Sequence, residues 1–277
     1  MLEPPIPPDE AERLAALKAL GLLDTPKDAR FERIARTAAL LLRVPIATIT
    51  LVDAERQWFK SRFGLFTAET PRRVSFCGHA ILQDEVMVVE DASQDERFAD
   101  KPLVTGSPHI RFYAGRPLHA PGGERIGTLC LIDREPRRLG DTELVTLDDL
   151  AHWAEMEIGL FVRERDAELH LTKVLDLLVW PALRADAEGR VLWVNRALLE
   201  FTGWERSRLE GGRLADLVRE GAPVLVAPDG STKTGLLPAE GVLLDRSGRP
   251  NNLGITVVES QSGAGRRFTL LFSRPRT

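Results

Sequence analysis

Arg111-Phe112-Tyr113-Ala114-Gly115-Arg116-Pro117-Leu118, the cluster Ala120-Pro121-Gly122-Gly123-Glu124, and Ile126-Gly127-Thr128-Leu129-Cys130-Leu131-Ile132-Asp133 decide how this chain folds. A proline and two glycines mark a turn between two apolar runs, so the runs read as strands over 109–118 and 125–133. Alternate residues of a half-buried strand share a face. Arg111 and Tyr113 therefore point together, while Phe112 and Ala114 point the other way.

Upstream, Asp9 can cap a helix whose Leu14, Leu17 and Leu20 follow helical spacing, and Gly21 with Asp24-Thr25-Pro26 ends it. A second helix begins near Asp28 with Phe31, Ile34, Ala38 and Leu41 on one face. Pro45 ends that helix and launches the β-branched run 46–52, with Gln57-Trp58-Phe59-Lys60-Ser61 as its hairpin partner. Downstream, a helix opens at Asp141 and runs toward Leu178, roughly 55 Å at 1.5 Å per residue. Its Leu144, Leu147, Ala151, Ala154, Ile158 and Phe161 recur at three and four, a heptad-like seam. The seam breaks across 163–168 and resumes at Leu169, Thr172, Leu175 and Leu178.

Beyond the helix, 179–186 and 190–194 read as strands around a turn at 187–189, and Asn195 caps a short helix through Phe201. Three further strands are expected over 241–245, 252–259 and 266–272. This mixture predicts an α+β chain of two domains, each a central antiparallel sheet with flanking helices, joined by a long helix. The expected division is a first domain over 1–160, a connecting helix over 161–178 and a second domain over 179–277.

Composition narrows the function. The 277 residues are enough for two cores, and 43% hydrophobic with 28% charged residues is a globular balance. A formal charge of −4 gives no electrostatic reason for a nucleic-acid partner. The longest apolar run, Ala38-Ala39-Leu40-Leu41-Leu42, is far too short to span a bilayer, and the Pro-rich acidic start is no signal peptide, so a cytoplasmic location is expected. The two cysteines make no disulfide framework, and the five histidines show no paired spacing, so neither a metal site nor a cofactor is expected.

Residues 12–159 resemble bacterial GAF domains found upstream of diguanylate cyclase and histidine kinase outputs. The resemblance is carried by Leu22-Leu23-Asp24-Thr25-Pro26, Arg56-Gln57-Trp58-Phe59-Lys60-Ser61, Ser75-Phe76-Cys77-Gly78-His79, Asp95-Glu96-Arg97-Phe98-Ala99-Asp100, Pro102-Leu103-Val104-Thr105-Gly106, Phe112-Tyr113-Ala114-Gly115 and Gly127-Thr128-Leu129-Cys130. It departs at Lys101, where that group often has asparagine. Residues 173–274 look like a PAS domain through Gly189-Arg190-Val191-Leu192-Trp193-Val194-Asn195, Phe201-Thr202-Gly203-Trp204 and Asp245-Arg246-Ser247-Gly248-Arg249. PAS domains that feed an output usually close on a signalling junction, whereas here the chain stops at Phe272-Ser273-Arg274-Pro275-Arg276-Thr277. The output is expected on a removed segment or on a separate partner. With no histidine after His170 and no cysteine in that half, His-ligated haem and a cysteinyl-flavin adduct are both excluded there.

Ser75 can cap the helix that follows and place Cys77 in its first turn, where the dipole favours a thiolate. Side chains two apart on a helix diverge, so Cys77 and His79 read as pocket-wall residues and not as nucleophile and base. Cys130 reads as a small buried hydrophobe. The expected ligand-binding set is Cys77, His79, Asp91, Phe98, Arg111 and Tyr113, a few polar groups in an otherwise apolar recess. The competing reading is that Arg111 and Asp91 pair and hold the loop at Phe98. The resemblance implies a non-enzymatic sensory module of bacterial signal transduction, cyclic di-GMP or two-component in setting. It would bind a small ligand or redox cue and pass it through a parallel homodimeric helix and the second domain to an output domain or partner. The alternatives are an interaction scaffold without ligand and a thiol-based redox sensor or enzyme using Cys77.

Overall fold

Two antiparallel sheets organise the chain in the computed structural model, which describes residues 2–219, 239–262 and 265–273. The first belongs to a unit over Met1–Arg163 and the second to a unit over Glu164–Thr277. The first unit opens with α1 (Glu10–Ala19) and α2 (Ala29–Leu41), and the Asp28 carboxylate caps α2 by accepting the Arg30 backbone N–H. Then come β1 (Ile46–Val52), β2 (Arg56–Phe63), β3 (Glu69–Pro71), the one-turn α3 (Cys77–Ala80), β4 (Met87–Val89) and the one-turn α4 (Pro102–Thr105). The hairpin of β5 (Phe112–His119) and β6 (Arg125–Asp133) follows the expected turn. The sheet order is β3-β2-β1-β6-β5-β4.

Strand alternation divides this sheet into two differently used faces. One carries Ala47, Ile49, Leu51, Phe112, Ala114, Leu129 and Leu131, packed on Leu17, Phe31 and Ile34 of the first two helices. The opposite face presents Tyr113 and Cys130, covered by Phe76, Cys77, Phe98, Val104 and Ile110 from the α3 and α4 segments. Gly127 lets β6 lie against β1, because a Cβ there would sit 1.9 Å from the Thr50 carbonyl oxygen. An ionic clamp holds α1 down. Arg13, fully buried, donates to the Val52 carbonyl at 2.7 Å and to both oxygens of Glu10, and buried Arg72 donates to the same carboxylate.

The long helix, α5, covers Asp141–Asp176. Leu147, Ala151, Ala154 and Ile158 of the expected seam are buried in the first unit's core, with Phe161 packed against it. Glu155 adds a polar tie, accepting the backbone N–H and ring Nδ1 of His119 at 2.8 Å each. Met156 and Leu160 are exposed on the side of the helix opposite that buried row, and in the second unit's part of the helix Leu171 and Val174 are exposed. The first half of the expected seam is thus taken by the first unit's own core, while in its second half Leu169 is exposed and Leu175 buried.

The second unit comprises β7 (Ala182–Asp186), β8 (Val191–Val194), α6 (Arg196–Thr202), α7 (Arg206–Leu209), α8 (Leu214–Leu217), β9 (Val218–Arg219), β10 (Ala239–Leu244), β11 (Pro250–Ser262) and β12 (Gly265–Ser273). Its sheet order is β8-β7-β12-β11-β10-β9. Leu183, Ala185, Ile255, Phe268 and Leu270 of the strands meet Leu198, Leu209, Leu214 and Leu217 of the short helices in one core. Asn195 caps α6 as expected, accepting the Leu198 N–H at 2.9 Å. The same side chain accepts the Ala182 N–H at 2.9 Å and donates to the carbonyls of Leu175 and Trp180, so it also pins the end of α5 to β7. Glu168 of α5 takes the buried Arg184 at 2.8 Å and Arg267 on the next strand. The parts of the expected second domain over 220–238, 263–264 and 274–277 lie outside the described residues. Among the described residues no helix is long and apolar enough to cross a membrane.

Candidate functional site

The α3–α4 face of the first sheet does not close completely. A cavity of about 310 Å³ remains between the sheet and its cover, at the lower end of the range for small-molecule sites. Alternation supplies its floor, with Ile46 and Thr48 from β1, Gln57 and Phe59 from β2, Tyr113 from β5 and Ile132 from β6. Phe76, Cys77, Leu103 and Ile110 form the wall, and exposed Phe66 and Arg134 stand at the rim.

One polar group in this lining is incompletely satisfied. Gln57 is 4% exposed, its Nε2 donates to the Thr70 hydroxyl at 2.6 Å, and its Oε1 is buried without a hydrogen-bond partner. A buried amide oxygen left unpaired costs roughly 1–3 kcal/mol.

Behind the cavity wall sits a sulfur–hydroxyl cluster. The Cys77 and Cys130 sulfurs are 3.3 Å apart. Cys130 Sγ also lies 2.8 Å from the Thr128 hydroxyl, 3.5 Å from that of Tyr113 and 3.7 Å from that of Thr50. Gly115 makes the Tyr113 geometry possible. A Cβ at Gly115 would fall 2.2 Å from the phenol oxygen, so only glycine lets that ring lie along its own strand. Burial pushes the Cys77 thiol well above its ordinary range, and the neighbouring sulfur adds to the rise. Burial opposes ionisation of Cys130 too, but hydrogen bonds from Cys77, Thr128, Tyr113 and Thr50 outweigh it and bring that thiol below the ordinary range.

Of the six residues expected to bind ligand, Cys77 and Tyr113 line the cavity. Phe98 is the back of a ring stack, 4.1 Å from Phe76, which in turn lies 5.1 Å from Tyr113. His79 turns away from the cavity. Its Nε2 is 3.2 Å from the Nζ of Lys101, and burial together with the Lys101 and Arg97 charges lowers its pKa to about 4. The neutral ring can then accept a hydrogen bond from the Lys101 ammonium. Lys101, itself wholly buried, also donates to the Ser75 carbonyl at 3.3 Å. Arg111 donates to the carbonyls of Val104 and Ile110 at 3.0 Å each, while Asp91 accepts the backbone N–H and hydroxyl of Ser93. These two make no ion pair. The Arg111 charge only assists the Ser93 hydrogen bonds in lowering the Asp91 pKa.

Of the polar groups expected in the recess, His79, Asp91 and Arg111 hold its cover together, while Cys77 and Tyr113 line the space beside Gln57. Gln57 stands in the Arg56–Ser61 motif, and strand alternation with Phe59 was the available signal. Cys130 is buried as expected, and its place beside Cys77 comes from the packing of α3 on β6. Lys101 had shown itself only as a departure from the family pattern.

Over residues 26–158 the chain matches the family model described as GAF domain. It is 47% identical over 152 residues to a cyclic di-GMP phosphodiesterase of Pseudomonas aeruginosa, covering 54% of this chain and 26% of that protein. The chain thus spans about a quarter of the length of this curated relative. It is also similar to the GAF domain of an Acinetobacter phosphoenolpyruvate-protein phosphotransferase, at 18% identity over 53% of this chain and 93% of that one, with a TM-score of 0.41. A further similar structure is the PAS domain of an HTR-like protein from Haloarcula marismortui, at 15% identity over 39% of this chain and 96% of that one, with a TM-score of 0.33. The domain match falls on the unit that encloses the cavity, and residues 26–158 of this chain are a GAF domain.

Proposed function

We propose that this chain is the non-enzymatic sensing part of a cytoplasmic bacterial signalling protein, and that its GAF cavity binds a small, largely apolar molecule carrying a hydrogen-bond donor. The observation that carries the reading is an apolar-walled space of about 310 Å³ that counts Gln57, whose buried Oε1 has no partner, among its lining residues. Cys77 and Tyr113 complete the contact surface. The lining offers no buried cation, since Arg134 stands exposed at the rim. Phosphate charges placed inside would be stripped of water without compensation, which argues against a cyclic dinucleotide as occupant. The link to cyclic di-GMP suggested by the Pseudomonas relative then lies in what the sensor controls, an output domain or partner protein, and not in what it binds.

For transmission, the exposed Met156 and Leu160 of α5 support a parallel homodimer, with a second copy covering that face of the helix. Light scattering at high micromolar concentration tests the dimer, and a monomer there refutes it. Native mass spectrometry of freshly purified protein, with phenol and indole as flat donor-bearing probes, tests the binding reading. Expected are a retained or added small mass and a raised melting temperature, both lost in Gln57→Leu. An empty chain that neither probe stabilises, or equal stabilisation of Gln57→Leu, refutes it.

A further inference from the structure

We propose that Cys77 and Cys130 form a reversible intramolecular disulfide, closed by an uncharged organic hydroperoxide that enters through the GAF cavity. The two residues are 53 positions apart in sequence, yet the fold sets their sulfurs 3.3 Å from each other. A disulfide needs about 2.05 Å, so the pair has little more than 1 Å to close. Cys77 has room to supply that movement because it sits on a single turn of helix, whereas Cys130 is locked in the central strand β6.

Access and reactivity are divided between the two sulfurs. Cys77 lines the cavity, and Cys130 is wholly buried behind it. Phe76, Ile110 and Tyr113 make the approach apolar, which favours an alkyl hydroperoxide over hydrated hydrogen peroxide. The Cys130 sulfur, 3.3 Å away, draws the proton from the Cys77 thiol and relays it to the leaving oxygen as the Cys77 sulfur attacks the distal peroxide oxygen, so the O–O bond breaks and the alcohol leaves. Cys77 is then a sulfenic acid. Cys130, surrounded by the hydroxyls of Thr128, Tyr113 and Thr50, attacks that sulfur, and the sulfenic oxygen leaves as water with the second thiol proton. Two thiols have lost two electrons, and the peroxide has gained them. The pair needs no resident ligand to react, and an occupant of the cavity would obstruct the oxidant's path to Cys77.

The test is intact-mass measurement of the full chain after exposure to tert-butyl hydroperoxide, followed by alkylation with iodoacetamide under denaturing conditions. Expected are the loss of two hydrogens, no alkylated thiol, a monomer on a non-reducing gel and full reversal by dithiothreitol. Cys130→Ser should stop at a dimedone-reactive sulfenic acid on Cys77. Cys77→Ser should slow oxidation of the remaining thiol by about tenfold or more, because Cys130 is screened. Two free thiols after treatment, a covalent dimer, or Cys77 advancing to sulfinic acid beside an alkylatable Cys130 would each overturn the proposal. Equal rates with hydrogen peroxide and tert-butyl hydroperoxide would overturn the assigned oxidant.

Discussion

Replacing Glu10 by glutamine tests how the GAF unit is held together. The carboxylate is 15% exposed and receives Arg13 and Arg72, whose side chains are 1% and 5% exposed. Burial resists its charge, but hydrogen bonds from both guanidinium groups outweigh that and lower its pKa from 4.5 to about 2. At about 1.4 kcal/mol per pKa unit, this difference is worth on the order of 3 kcal/mol at neutral pH. The figure agrees with the roughly 3–5 kcal/mol cost of leaving buried charges unpaired. Because the folded pKa is the lower one, the stabilisation is fully present above the ordinary carboxylate pKa of 4.5 and disappears as pH falls toward 2. Calorimetry of the full chain should show the first unit's transition in Glu10→Gln lowered by roughly 6–12 °C at pH 7. The gap from wild type should shrink to about half near pH 3. Glu12→Gln, one turn position away and exposed, should stay within about 0.5 kcal/mol of wild type. A loss below about 1 kcal/mol at pH 7, or a gap that does not narrow with acid, refutes the clamp.

Two further substitutions probe the site and the second unit. Gly115→Ala drives a methyl into the Tyr113 phenol, so it should cost about 1–3 kcal/mol and speed alkylation of Cys77 in the folded chain; an unchanged rate would mean that the ring does not cover the sulfurs. Asn195→Ala leaves the Ala182 and Leu198 N–H groups and two carbonyls without the side chain that serves them. It should destabilise the second unit by about 2–4 kcal/mol while the first unit's calorimetric transition stays in place, and a shift of both transitions together would contradict that assignment.

Much of the architecture is local and could be read directly. The Pro-Gly-Gly turn announced the β5–β6 hairpin, Asp28 and Asn195 announced their helices, and alternation correctly separated Phe112 and Ala114 from Tyr113. Each of these depends on residues within a few positions, where backbone geometry dictates the outcome. The α5 seam was equally visible as a period, but a period states only that a face is apolar. Whether the unit's own sheet or a second helix covers it is a long-range question, and here the sheet takes Leu147, Ala151, Ala154 and Ile158.

The site shows the same division more sharply. Family motifs pointed to the right segments, and Cys77 and Tyr113 do face the cavity. Yet His79 and Arg111 are held by Lys101 and the Val104 carbonyl, partners that no spacing rule brings to them, whereas Asp91 closes a local turn on Ser93, two residues on. A titratable side chain advertises chemistry in a sequence, but its hydrogen-bond partner decides its use, and that partner arrives only when distant segments pack. The Cys77–Cys130 contact, the buried oxygen of Gln57 and the room made by Gly115 all arise in this way, from strand register across the sheet and the loops folded over it.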